Sequence, residues 1–206
     1  MTRRLKVQKL QVSGGFSLVE LLVVISIIGL LAGLTSVAVS RAMEAGKKAK
    51  AKGDLTAIVA AVKAYKNEYG RFPSSAGPSD DEHLYASYAT GQTKFSTKPY
   101  GASADLIAVL CGENRNDLNP KKVKFLEPGK LTERGSEKYV WLDPWGQAEY
   151  CVMFDSNEDG GVEYYGDGNW EHPNIKLSVI AVSAGPNKTV DDLNMEKKPD
   201  DIFSWK

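Results

Sequence analysis

The chain has 206 residues, 42% of them hydrophobic, and its 26 basic and 26 acidic side chains give no formal net charge. That length allows one domain with its own core together with an extended element. Beyond residue 15 the lysines are scattered among acids, so nothing there suggests nucleic-acid binding.

The charge is unevenly placed along the chain. Residues 1–15 hold Arg3, Arg4, Lys6 and Lys9 and no acid; taking these four from 26 leaves 22 basic against 26 acidic residues, a net charge near −4 for the remainder. Next comes Gly14-Gly15-Phe16-Ser17-Leu18-Val19-Glu20, and then twenty uncharged residues from Leu21 to Ser40. Such a run is long enough to cross the roughly 30 Å hydrocarbon core of a bilayer as a helix. The basic flank predicts a cytoplasmic N-terminus. Glu20 sits just inside the apolar run, where an ionisable group is costly and therefore a functional hypothesis that needs a partner. The free α-amino group of Phe16 becomes that partner if the chain is cut after Gly15. An ordinary secretory signal also has a basic start and an apolar middle, but it is cut after the apolar part. Ala38-Val39-Ser40 would be that site, and Glu20 would then have no purpose.

After Ser40 the composition turns to helix formers, Arg41 to Lys50. Leu55, Ile58, Val59, Val62, Tyr65 and Tyr69 recur at steps of three and four, one face of an amphipathic helix. Gly70 supplies a C-terminal stop and Pro73 follows it. With no proline between residues 16 and 69, one helix of about 80 Å is expected, at about 1.5 Å per residue. Its first half lies in the membrane and its second half packs on a globular head. Gly29, Gly33 and Gly53 are the positions where it can bend.

Residues 71–100, rich in Ser, Gly, Pro, Thr and Tyr, read as a connecting loop. Ala102 to Cys111 reads as a short helix with Leu106, Ile107 and Leu110 on one side. Asn119 to Gly129 is turn-rich around Val123, Phe125 and Leu126, a strand or extended loop wrapping the head. Tyr150–Phe154, Val162–Tyr165 and Leu177–Val182 are strand-like runs that predict a small antiparallel sheet. A long helix first and strands last give an α+β head, with the sheet across the helix's apolar face.

No catalytic arrangement is present: there is no G-x-S-x-G, P-loop or H-E-x-x-H, and His83 and His172 are isolated. Cys111 and Cys151 would pair in an oxidising compartment, or Cys151 is a buried free thiol within its strand. Asp155-x-Asn157-x-Asp159-Gly160 matches the first half of an EF-hand loop, but Gly166 stands where the bidentate glutamate belongs. Its place between two strand-like runs favours a polar hairpin turn.

Gly15-Phe16-Ser17-Leu18-Val19-Glu20-Leu21-Leu22-Val23-Val24-Ile25 resembles the class III signal of type IV pilins and pseudopilins. The resemblance implies that an aspartyl peptidase cuts after Gly15 on the cytoplasmic side and N-methylates Phe16. It also makes Glu20 the glutamate five residues into the mature chain. The family often carries a proline where Val37 stands here, so melting of this helix during assembly is not implied. Asp143-Pro144-Trp145-Gly146 is similar to a motif of the major pseudopilins of type II secretion, where it precedes the first strand of the sheet. Physically it is a turn, with Pro fixing φ, Gly closing it, and Trp145 available to cover the core.

Ser183-Ala184-Gly185-Pro186-Asn187 and Asp200-Asp201-Ile202-Phe203-Ser204-Trp205 resemble the same family's ending, a loop folded around calcium. Calcium takes about six to eight oxygen ligands. Carried over by position these are Asn187, Asp200 and Asp201, with Asp191 and Ser183 as additions. Lys188 replaces a glycine, and Lys197-Lys198 fills a stretch that is glycine-rich in the family. The alternative is a solvated acidic tail tied down by Ile202 and Trp205.

The expectation is therefore an α+β, type IV pilin-like chain in three parts. Residues 1–15 are a basic leader, 16–40 the transmembrane and assembly half of the helix, and 41–206 a periplasmic head. It would be anchored in the bacterial inner membrane by a single pass and would polymerise into a pseudopilus that drives type II secretion. The partners implied are other copies of itself, the prepilin peptidase, minor pseudopilins, the inner-membrane secretion platform and the membrane, but no nucleic acid. A type IV pilin or competence-type minor pilin is the near alternative; a membrane-anchored periplasmic binding protein is the distant one.

Overall fold

The computed structural model describes residues 15, 17–74, 83–85, 102–146, 148–162, 175–187 and 200–205. The chain divides into two compact units, 1–44 and 45–206. The expected end of the apolar half, at residue 40, lies slightly before that division.

In the first unit the helix α1 begins; its full extent is Leu18–Tyr69. The side chains described between Leu18 and Met43 are solvent-exposed all round, with Leu18 78%, Ile25 59% and Leu30 68% accessible. A helix apolar on every side has no aqueous solution that suits it and needs lipid or other apolar helices. The Ser26 and Thr35 hydroxyls place no demand on that environment. Ser26 donates to the Leu22 carbonyl at 2.7 Å and Thr35 to that of Leu31 at 2.8 Å.

In the second unit the same helix changes character. Leu55, Ile58, Val62 and Tyr65 are fully buried, while Val59 and Tyr69 pack at the margin of the same core, as the spacing predicts. Each such aliphatic side chain contributes roughly 1.5–3 kcal/mol by leaving water. Gly70 ends the helix in the left-handed region at φ 70°, its N–H donating to the Lys66 carbonyl at 2.8 Å.

Among the described residues the sheet has four antiparallel strands in the order β1-β4-β5-β6. They are β1 (His83–Tyr85), β4 (Cys151–Phe154), β5 (Val179–Ser183) and β6 (Ile202–Phe203). Cys151 stands opposite Val182 and Phe154 opposite Val179. The pleat sends alternate residues to opposite faces. Val152, Phe154, Val179 and Ala181 join the core with α1, where Phe154 stacks on Phe72. Cys151, Met153, Ile180 and Val182 join a second cluster with Ala148, Val162 and Phe203. Both faces of the two central strands are therefore covered. Tyr150 fastens the start of β4 to the helix by donating to Asp54 at 2.7 Å, and burial raises its phenol well above the ordinary range.

The short helix α2 (Ser103–Leu110) lies where the sequence places it and buries Leu106, Ile107 and Leu110. A two-stranded hairpin, β2 (Thr132–Arg134) and β3 (Glu137–Val140), follows it. Arg115 joins the two elements: it grips Glu137 with both terminal nitrogens at 2.8 Å and bonds Asp105 on α2.

Several expectations need correction. The stretch 71–100 contains strand β1, and the first strand of the sheet thus precedes the Asp143–Gly146 turn instead of following it. β2 and β3 are polar, and no alternation announced them. Of the two readings for residues 119–129 the extended loop holds and the strand does not; Phe125 and Leu126 donate their N–H groups to the Leu110 carbonyl at 2.8 and 3.0 Å. Val162 does not pair with β4, whose edges are taken by β1 and β5, but bridges Ile175. Asp155–Gly161 is therefore not a hairpin turn. Residues 163–165 lie outside the described residues.

Candidate functional site

Two places carry the residues singled out by sequence. The first is the start of α1. Ser17 caps the helix: the Glu20 N–H donates to Ser17 Oγ at 3.2 Å, and the Ser17 N–H donates to Glu20 Oε2 at 2.9 Å. This reciprocal pair is a capping box. It satisfies two of the orphan N–H groups that every helix start exposes. The Glu20 carboxylate is thus already oriented toward the residue that precedes the helix. Phe16, the expected methylation site and amine partner, lies outside the described residues, as does Gly14. Gly15 is exposed, and a Cβ there would meet no atom within 4 Å. Among the described residues nothing in the packing requires glycine at residue 15.

The second place is the ending. β5 runs out at Ser183 into a short 3₁₀ turn, Gly185–Asn187, and the chain returns at Asp200 to enter β6. The two ends of this loop meet, the Asn187 N–H donating to Asp200 Oδ2 at 3.1 Å. Gly185 has φ 65°, and a Cβ on it would collide with the Asp200 carbonyl, so only glycine allows this approach. Asp201 is buried. Ser183 is committed elsewhere: its hydroxyl donates to Asp143 Oδ2 at 3.3 Å and accepts the Gly185 N–H at 3.3 Å. Asp143 in turn accepts the Trp145 N–H, and the Gly146 N–H donates to the Asp143 carbonyl at 2.8 Å, closing the expected turn. The Asp143–Gly146 turn and the C-terminal loop are thus one hydrogen-bonded assembly, a link that spacing in the sequence could not show.

Asn187, Asp200 and Asp201 offer hard oxygen donors, the set calcium prefers. The backbone cradle at Gly185 brings both ends of the loop together, so a cation between them would find these oxygens close by in the chain. Among the described residues no three His, Cys, Asp or Glu side chains meet. A calcium shell here would need main-chain oxygens or Asp191, which lies outside the described residues, to complete it.

Cys111 and Cys151 form no disulfide; both thiols are free. Cys111 lies against the core shared with α1, and Cys151 projects from the other face of the sheet. The sheet itself stands between them. Burial pushes the Cys111 thiol up to about 11 and that of Cys151 up to about 12.

Sequence reading passed over Asn119. It is fully buried, donates to the Val109 and Val123 carbonyls at 2.8 and 2.9 Å, and accepts from the Val123 N–H at 3.0 Å and from Tyr69 Oη at 2.6 Å. An asparagine before a proline looks like ordinary turn punctuation, and nothing in its neighbours announces a hub.

The family described as the prokaryotic N-terminal methylation motif matches residues 11–36. The chain is 41% identical over 171 residues to the type II secretion system core protein G of Pseudomonas aeruginosa, covering 77% of this chain and 95% of that protein. No solved structure matches.

Proposed function

Because the chain belongs to the family of type II secretion core protein G, the pseudopilins, we propose that its work is mechanical: it polymerises into a pseudopilus that drives type II protein secretion. It is a structural subunit anchored to the membrane by its apolar helix. The observation that carries the assembly mechanism is the exposed, all-round apolar start of α1 with one carboxylate, Glu20, held at its first turn by Ser17.

The leader of residues 1–15 holds the precursor with its N-terminus in the cytoplasm and its head in the periplasm. A peptidase removes the leader after Gly15; the open space around that glycine supports its being read by another protein. The new Phe16 amine, N-methylated, stays cationic. In the filament Glu20 of one copy neutralises the Phe16 ammonium of a neighbour, in a medium where an unpaired charge is costly. The contact is heterologous and head-to-tail, and such contacts build open filaments. Minor pseudopilins and the inner-membrane platform would start and drive this growth. Intact-mass and N-terminal sequencing of the protein from bacterial membranes should find a chain beginning at N-methylated Phe16. A start at Met1 or near Arg41 would overturn the mechanism.

We also propose that calcium closes the C-terminal loop through Asn187, Asp200 and Asp201, with Asp191 as the further ligand. Bound calcium would neutralise two adjacent carboxylates and fix the return of the chain into β6. A chelator should lower the melting temperature of the detergent-solubilised chain. The Gly185→Ala variant, unable to hold Asp200 in place, should lose most of that sensitivity. Equal chelator shifts in the two proteins would remove the site.

A further inference from the structure

The loop that follows β4 has an unexplained buried charge. Asp155 is only 5% exposed. Its Oδ2 accepts the Gly160 N–H at 3.2 Å, while its Oδ1 is buried with no hydrogen-bond partner among the described residues. A carboxylate oxygen out of water without a donor is costly unless a cation compensates it. The lysine that reaches this loop, Lys66, is bound at 2.9 Å to Glu158.

The residues that follow Asp155 in the sequence are the right ones. Asp155, Asn157 and Asp159 alternate, and Gly160 follows at φ 94°. In an EF-hand loop the first, third and fifth residues and the seventh carbonyl bind the ion, and a glycine at the sixth makes the sharp turn. We propose that Asp155–Gly161 is a second calcium site, with Asp155, Asn157 and Asp159 side-chain oxygens and the Gly161 carbonyl as ligands. Water completes the shell in place of the missing bidentate glutamate.

The site is separate from the C-terminal loop. Asp155 continues β4 beyond Phe154, opposite Val179, while Ser183 leaves β5 at the other end of the same ladder. Four residue steps of strand, about 13 Å, lie between them. Few carboxylates and an incomplete loop place the affinity in the weak class of extracellular calcium modules, with Kd of about 10⁻⁴ to 10⁻³ M.

The test is equilibrium dialysis with radioactive calcium on the full chain in detergent, stripped first with chelator. Asp200→Ala silences the C-terminal loop, and the remaining binding reports this site. Adding Asp159→Ala should weaken that remainder by about tenfold or more, since one charged ligand is lost. Asp159 is exposed and bonds only within its own loop, so this variant keeps the fold. Asp155→Asn should do the same, with melting temperature checked in parallel. The proposal is overturned if the Asp200→Ala protein binds no calcium up to about 10 mM, or if Asp159→Ala leaves its binding unchanged. If instead Asp200→Ala binds as wild type does and Asp159→Ala abolishes binding, this loop stands and the C-terminal reading falls.

Discussion

Replacing Glu20 with alanine should leave leader removal intact and lower filament yield by about tenfold or more, because a Phe16 ammonium is then left unpaired among apolar helices. Two things would be measured on the same cells: the mass of the membrane-extracted subunit and the amount of sheared filament. Glu20→Gln separates the cap that the structure shows from the charge pairing proposed above. Glutamine is accepted at this position of a capping box, so its amide oxygen can still receive the Ser17 N–H, but it carries no charge. If charge pairing drives assembly, glutamine should fail as alanine does. Filaments and secretion at wild-type level in Glu20→Gln would mean that the cap, not the charge, is what the carboxylate supplies. Ser17→Ala, which removes the hydroxyl that receives the Glu20 N–H, should have the smaller effect.

Asn119→Ala should destabilise the second unit by about 3 kcal/mol or more, since each buried polar group left without a partner costs about 1–3 kcal/mol. Three groups lose their partner at once, the Val123 carbonyl and N–H and the Tyr69 hydroxyl, while the Val109 carbonyl keeps the Gly112 N–H at 3.1 Å. For a unit of this size that corresponds to a fall in melting temperature of roughly 6–12 °C. Thermal unfolding followed by circular dichroism reads it directly. A shift below about 2 °C, less than 1 kcal/mol on the same scale, would mean that water replaces the asparagine and that residues 109–123 are held by Leu118, Leu126 and the aromatic contacts alone. Asn119→Asp should be no better, because it keeps an acceptor but lacks both donors and adds a buried charge.

What could be read from the sequence follows the strength of the local signal. The long helix was legible because its two halves obey simple rules: no charge for twenty residues, then apolar residues on one face with Gly70 as the stop. The central strands were legible because residues 151–154 and 179–182 are rich in valine, isoleucine and other apolar residues. β1 was not, because three residues inside a polar stretch become a strand only when β4 is there to pair with them. Nor was the hairpin at 132–140, whose Thr-Glu-Arg and Glu-Lys-Tyr sequence is polar and is fixed by Arg115 from another element. At the candidate sites, the motif at Gly15–Glu20 is contiguous and was read whole. The Asp143–Ser183 link joins residues forty positions apart. It exists only because strand pairing brings the end of β5 beside the turn that precedes β4.

The outer strands of the sheet have a bearing on how such a protein polymerises safely. β1 is three residues long and β6 two, while the fully buried runs of β4 and β5 are kept inside. An open ladder is a template for another chain, and short edges limit what can be added to it. A subunit stored at high local density in a membrane, waiting to be stacked, risks a competing order in which heads fuse strand to strand and do not come apart. With so little edge to offer among the described residues, the heads would leave self-association to the helix, as the assembly proposed above requires.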